Sequence, residues 1–305
     1  MKKSIIAMAV AGALAVPAIA SADATLYGWM TMSADVERDS KLNINGDGNS
    51  PSRIGLRGTA DTGVDGLTAL YHYEFGVNQT QGDTSLATRL ANVGLTGDFG
   101  TAVFGTQWAP QYSWVTGTTD VMMSSAAYRS TDVVYRVSNT AAYVSPDFNG
   151  LQLAAAIGAN SANGDKNADY YHVAAKYSAH GFHAALGYLG FESAAFGDAD
   201  EATSLALSYD FGPAMIAATY THERFDEADT NKPWDLAATY SVTDATTLKG
   251  TYSDFRGGPK AYAVELQHDL SNMVNTFVGY GYANSDARDD GVADSVFSTG
   301  LRVRF

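Results

Sequence analysis

Three arginines on successive early segments, Arg53, Arg89 and Arg136, are assigned to the inward side of stretches where apolar and polar residues alternate. Arg57 joins Arg53 in SRIGLRG, where both stand opposite Ile54 and Leu56. The carboxylates Glu74, Asp235 and Glu265 occupy the same kind of row in other segments. Fixed charges of both signs on opposite walls of a water-filled bore would create a transverse field that orients dipolar solutes and filters ions. A long connection, 108–132, adds aromatics and small residues in WAPQYSWVTGTTDVMMSSAAYRST. Connections of this length are usually functional. Folded inward, it would set the width of such a bore. Tyr112, Trp114, Met122 and Met123 suit packing against the wall, with Asp120 left facing solution and Arg129 close behind.

Covalent chemistry finds little support. A serine nucleophile needs a positioned base and a group that orients it. The six histidines, His72, His172, His180, His183, His222 and His268, fall in no nucleophile or metal-binding pattern, and cysteine is absent. GDGNSPSRIG contains glycines but lacks the Lys-Ser/Thr and the strand-to-helix context of a phosphate cradle. No enzyme activity and no cofactor are expected. The formal charge of -14 argues against a nucleic-acid partner, whose phosphates it would repel.

The elements that hold these charges are strands. Tyr171, Val173, Ala175 and Tyr177 alternate with Tyr170, His172, Ala174 and Lys176; Trp234, Leu236, Ala238 and Tyr240 alternate with Asp235, Ala237 and Thr239. The large residues take the apolar row and the small or polar ones take the other. A soluble sandwich would pack its large apolar residues between two sheets instead. Such segments number sixteen, from 25–36 to 294–305, joined by short Gly/Asp/Asn/Pro turns and longer connections in strict alternation. The pattern predicts an all-β protein, a 16-stranded antiparallel transmembrane β-barrel with an inward-folded third loop. An arginine turned to lipid would cost about 2–4 kcal/mol at the midplane, so the arginines are assigned to the lumen. The last segment, SVFSTGLRVRF, alternates to the terminal Phe305.

Lys2 and Lys3, an apolar run from Ile5 to Val16, and the small residues Ala18, Ala20 and Ala22 form an export signal, so residues 1–22 are expected to be cleaved and 23–305 to form the barrel. No later apolar run reaches the roughly 20 residues of a spanning helix. A Gram-negative outer membrane is the expected location.

These residues carry a resemblance. From Ala24 to Phe305 the chain resembles the general diffusion porins of Gram-negative outer membranes. ATLYGWM is similar to the family's first strand, and SRIGLRG to its second, which implies that Arg53 lies on the basic side of the pore constriction. TRLANVGLTGDFGTAVFGTQ resembles the fourth and fifth strands and puts Arg89 at another basic position; YRVSNTAAYVSPDFNGLQLAAAIG follows the third loop and supplies Arg136 as the next. The resemblance implies a homotrimer, and an assembly signal at Phe305 read by the barrel-insertion machinery. Outer-membrane lipid and lipopolysaccharide would surround the barrel, and small hydrophilic solutes and ions would pass through it. The third loop departs from enteric members, which carry Pro-Glu-Phe-Gly there; here Asp120 is followed by MSSAAYRS, with no glutamate and with Arg129 added.

The expected function is therefore passive diffusion of small hydrophilic solutes and ions. Acidic loops around Glu192–Glu201, Glu223–Asp229 and Asp286–Asp294 suggest a weak cation preference at low salt. Two alternatives are a channel selective for sugars or oligosaccharides, and a structural or adhesive barrel.

Overall fold

The computed structural model describes residues 23–38, 40–77, 86–128, 130, 135–159, 168–191, 200–225, 230–255, 258–286 and 294–305. The expected signal peptide, 1–22, and Arg129 lie outside the described residues.

The first third of the chain forms β1 (Asp23–Glu37), β2 (Asn43–Gly46), β3 (Arg53–Asp61), β4 (Leu67–Val77), β5 (Leu86–Gly97) and β6 (Gly100–Trp108). After the third long connection come β7 (Arg136–Val144), β8 (Leu151–Gly158), β9 (Tyr170–Ala179), β10 (Phe182–Phe191), β11 (Glu201–Asp210) and β12 (Ala214–Arg224). The chain ends in β13 (Trp234–Thr243), β14 (Thr246–Asp254), β15 (Lys260–Ser271), β16 (Val274–Ala283) and β17 (Ser295–Arg304). Sixteen of these form one closed antiparallel wall in which β1 pairs with both β3 and β17. The strand missing from the sequence reading is β2, a four-residue piece of the first long connection that folds back onto β1 through Ser33↔Gly46 and Asp35↔Asn43. It is too short to show a period of its own.

Closure leaves no unpaired edge, which a wall in hydrocarbon requires. Along β11 the outward Leu205, Leu207 and Tyr209 are exposed, whereas Ser204 and Ala206 on the lumen side are buried. Turns on the short side are tight: His180 and Gly181 both take positive φ, 51° and 82°, as a two-residue hairpin turn matching the strand twist demands.

The chain ends meet on the lipid side. Phe305 N–H donates to Gly28 O and Gly28 N–H donates to Phe305 O, both at 3.1 Å. A Cβ on Gly28 would lie 2.5 Å from the Phe305 ring and 2.5 Å from the Arg53 carbonyl oxygen. The ring can move but the carbonyl cannot. Gly28→Val is therefore expected to overpack the closing seam by about 1–3 kcal/mol. The check is refolding yield by heat-modifiable gel mobility, and a variant that refolds as well as the parent would refute the seam.

Candidate functional site

The arginines converge on one side of the lumen because β3, β4, β5, β17 and the start of β7 bring them there. In the β3–β4 register Gly55 stands opposite Glu74 and Arg53 opposite Gly76, so Arg53 and Glu74 share the lumen row. A register shift in the β4–β5 pair matches Leu90 to Glu74 and Thr88 to Phe75, leaving Arg89 as the inserted residue. Such a bulge re-aims a side chain. Here it directs Arg89 onto Glu74, with Nε donating to Oε1 at 2.7 Å. Arg53 Nη1 donates to the same oxygen at 3.2 Å, and the Tyr27 hydroxyl donates to Oε2 at 2.7 Å. Glu74 is only 4 % exposed. One carboxylate thus serves two guanidinium groups.

Two tryptophans set the remaining geometry. The Arg53 guanidinium lies 4.0 Å and that of Arg302 5.3 Å from the ring centre of Trp29. Arg89 and Arg136 lie 5.7 and 5.1 Å from Trp108. Stacking on an aromatic face holds a planar guanidinium in place. Arg302 Nε also donates to Thr31 Oγ1 at 2.8 Å. Arg136 has no carboxylate partner among the described residues.

The third loop folds into the lumen. It begins with a π-helical turn, Gln111–Val115, and a 3-10 turn, Thr116–Thr119. Tyr112 stacks on Trp108 at 4.9 Å and meets Tyr135 edge-on at 5.0 Å. Asp120 accepts from the Tyr112 hydroxyl at 2.6 Å and from Asn49 Nδ2 at 2.7 Å. The loop's Val121, Met122 and Met123 face the arginines across a cavity of about 470 Å³. Behind the first loop's fold-back, burial pushes the Asp47 carboxyl up, helped by the neighbouring Asp35 carboxylate.

The far wall grips the loop. Glu265 Oε2 accepts the backbone N–H of Met123 at 2.8 Å and of Ser124 at 2.7 Å. Its Oε1 pairs with Lys249 at 3.0 Å, and Lys249 Nζ donates to the Val121 carbonyl at 2.8 Å. Asp235 Oδ1 accepts from Ser130 N–H at 3.0 Å, and His183 Nε2 donates to the Trp114 carbonyl at 2.9 Å. Trp114 has Lys176 over its ring at 4.8 Å and packs beside Val115, Ala185 and Ala206.

Several expectations need correction. Glu74 does not stand across the bore from the arginines; it sits among them as the counter-ion of Arg53 and Arg89. Asp235 and Glu265 spend acceptor capacity on loop backbone rather than facing free solution, because the inward loop covers them. Arg57 lies four residues beyond Arg53, over Tyr27 at 5.0 Å, and does not line the cavity; nor does Trp114. Tyr135 and Val137, which alternation around an inward Arg136 would turn outward, are inside: Tyr135 lines the cavity and Val137 is buried against Ala109, Tyr170, Leu189 and Ala202. A register shift between Gly105 and Gln107, with Asn139 at φ 53°, interrupts the alternation there. The reading missed Arg302, Trp29, Asn49 and Lys249. Arg302 was legible as a polar-row residue, but only barrel closure sets β17 beside β1.

A family model described as "Gram-negative porin" matches residues 7–288. Outer membrane porin protein 32 of Delftia acidovorans is 29% identical over 341 residues, covering 99% of this chain and 96% of that one. Among solved structures, an anion-selective porin from Comamonas acidovorans shares the fold at TM-score 0.73 and 20% identity, covering 93% of this chain and 100% of that chain. OmpT of Vibrio cholerae in its trimer form has TM-score 0.69 and 17% identity, covering 93% and 100%.

Proposed function

This chain belongs to the Gram-negative porin family, and from that premise we propose that its constriction favours anions and that it works as a homotrimer. Membership makes it a passive diffusion channel of the outer membrane, multi-pass through its strands and not an enzyme. The observation that carries the anion reading is Arg136, whose guanidinium rests on Trp108 and forms no ion pair with a described carboxylate. Arg53, Arg89, Arg136 and Arg302 line the cavity with Asp120 facing them, and Glu74 is shared by two arginines. The local balance is positive.

This reverses the cation preference expected from the acidic loops. Surface charge is screened within about 10 Å at 0.1 M salt, whereas charges that line the bore meet the ion directly. The Comamonas acidovorans neighbour is described as anion-selective, which supports the same sign here. The trimer is supported by the family and by the trimeric Vibrio cholerae relative.

Planar-bilayer recording in asymmetric KCl tests both proposals. A reversal potential of the sign set by chloride is expected, and it should persist as salt is raised toward 1 M. Insertions should occur in groups of three equal conductance steps. A potassium-signed potential at every salt concentration overturns the anion reading, and single isolated steps overturn the trimer.

A further inference from the structure

Resting on that anion reading, we propose that the constriction cavity recognises aromatic monocarboxylates in transit, with the carboxylate on Arg136 and the ring against the aromatic and thioether wall. The cavity has two chemically distinct sectors. One is the arginine row; the other is formed by Tyr112, Tyr135, Val121, Met122 and Met123. A path for hydrated chloride alone gains nothing from an apolar sector facing four cations. An amphiphilic anion uses both at once.

The ring arrangement suits a third ring. Trp108 and Tyr112 are stacked at 4.9 Å and Tyr135 meets Tyr112 edge-on, so the loop already presents faces and edges in the orientations that aromatic pairs favour. Methionine sulfur makes favourable contacts with ring edges. A cavity of about 470 Å³ lies within the range of small-molecule sites, about 300–1,000 Å³.

The charge arrangement selects one carboxylate rather than two. Arg53 and Arg89 are engaged by Glu74, and Arg302 by the Thr31 hydroxyl through Nε and the Ser50 carbonyl through Nη2. Arg136 remains as the fork able to take an incoming carboxylate bidentately. A second acidic group at the far end of the solute would approach Asp120, which Tyr112 and Asn49 hold in place.

The test is current block in planar bilayers bathed in KCl, using benzoate, acetate, terephthalate and benzyl alcohol as probes on the refolded trimer. Benzoate should block saturably and on the order of tenfold more tightly than acetate, the gain set by about five further carbon atoms in contact. Terephthalate, with its second carboxylate para to the first, should block less than benzoate, and uncharged benzyl alcohol should have no effect. Arg136→Gln should remove benzoate block. The pair Met122→Ser and Met123→Ser should bring benzoate down to acetate while the reversal potential stays chloride-signed. Equal block by benzoate and acetate in a chloride-selective channel overturns this inference and leaves the anion reading standing. A potassium-signed reversal potential overturns the reading itself.

Discussion

Glu265→Gln should turn a steady pore into a noisy one. The carboxylate is 1 % exposed, and its two oxygens do different work. Oε2 takes the Met123 and Ser124 amides, while Oε1 neutralises Lys249. Glutamine keeps the shape but has one acceptor oxygen. If that oxygen holds the loop, the new NH2 group faces the Lys249 ammonium; if it turns to Lys249, two loop amides lose their acceptor. Breaking a buried ion pair by removing one partner costs about 3–5 kcal/mol, because the other charge stays buried without compensation. The strain falls on Val121–Ser124, the segment that faces the arginines. Unit conductance should spread over several levels, and thermal unfolding should shift down. Pairing it with Lys249→Met should restore much of the stability, since removing both charges is often nearly neutral. A single mutant with the parent's conductance histogram and melting point would show that Glu265 does not fix the loop.

The second large effect is on the sign of selectivity. Arg136→Glu together with Arg302→Glu replaces two cations at the cavity wall by two anions. At about 8 Å and an effective dielectric constant of 20, one unit charge is worth roughly 2 kcal/mol, or about a 30-fold change in local ion concentration. The double variant should therefore carry a potassium-signed reversal potential. Glu74→Gln should move the potential the other way, further toward chloride, and also lower stability, since it leaves Arg53 and Arg89 buried without their shared counter-ion. A double variant that keeps the parent's chloride-signed potential would place the selective charges elsewhere in the pore.

The barrel was legible in the residues themselves. Hydrocarbon outside and water inside impose a period of two on each strand independently, so segments such as Tyr170–Tyr177 and Trp234–Tyr240 state their two faces without reference to their partners. Gly/Asp/Asn/Pro clusters locate the turns for equally local reasons. That is why the strand boundaries, the closed all-β architecture and the inward side of Arg53, Glu74 and Glu265 could be read along the chain.

Where two strands or a loop and a wall had to be brought into register, the local signal stopped. The inserted Arg89 and the interruption at Asn139 depend on how β5 and β7 pair with their neighbours, and alternation counted along one strand carries no record of that pairing. Arg302 is 249 residues from Arg53, yet both stand over Trp29 once β17 closes onto β1. The same holds for Glu265 and the Met123 amide, which meet because the third loop crosses the lumen. Sequence alone determined the strands, their lipid and water faces and the membrane they cross, because those answer to the solvent on each side. Only the tertiary structure decided which charges face the solute and which hold the loop, because a buried charge is settled by the partner it meets, and here the partners come from opposite walls.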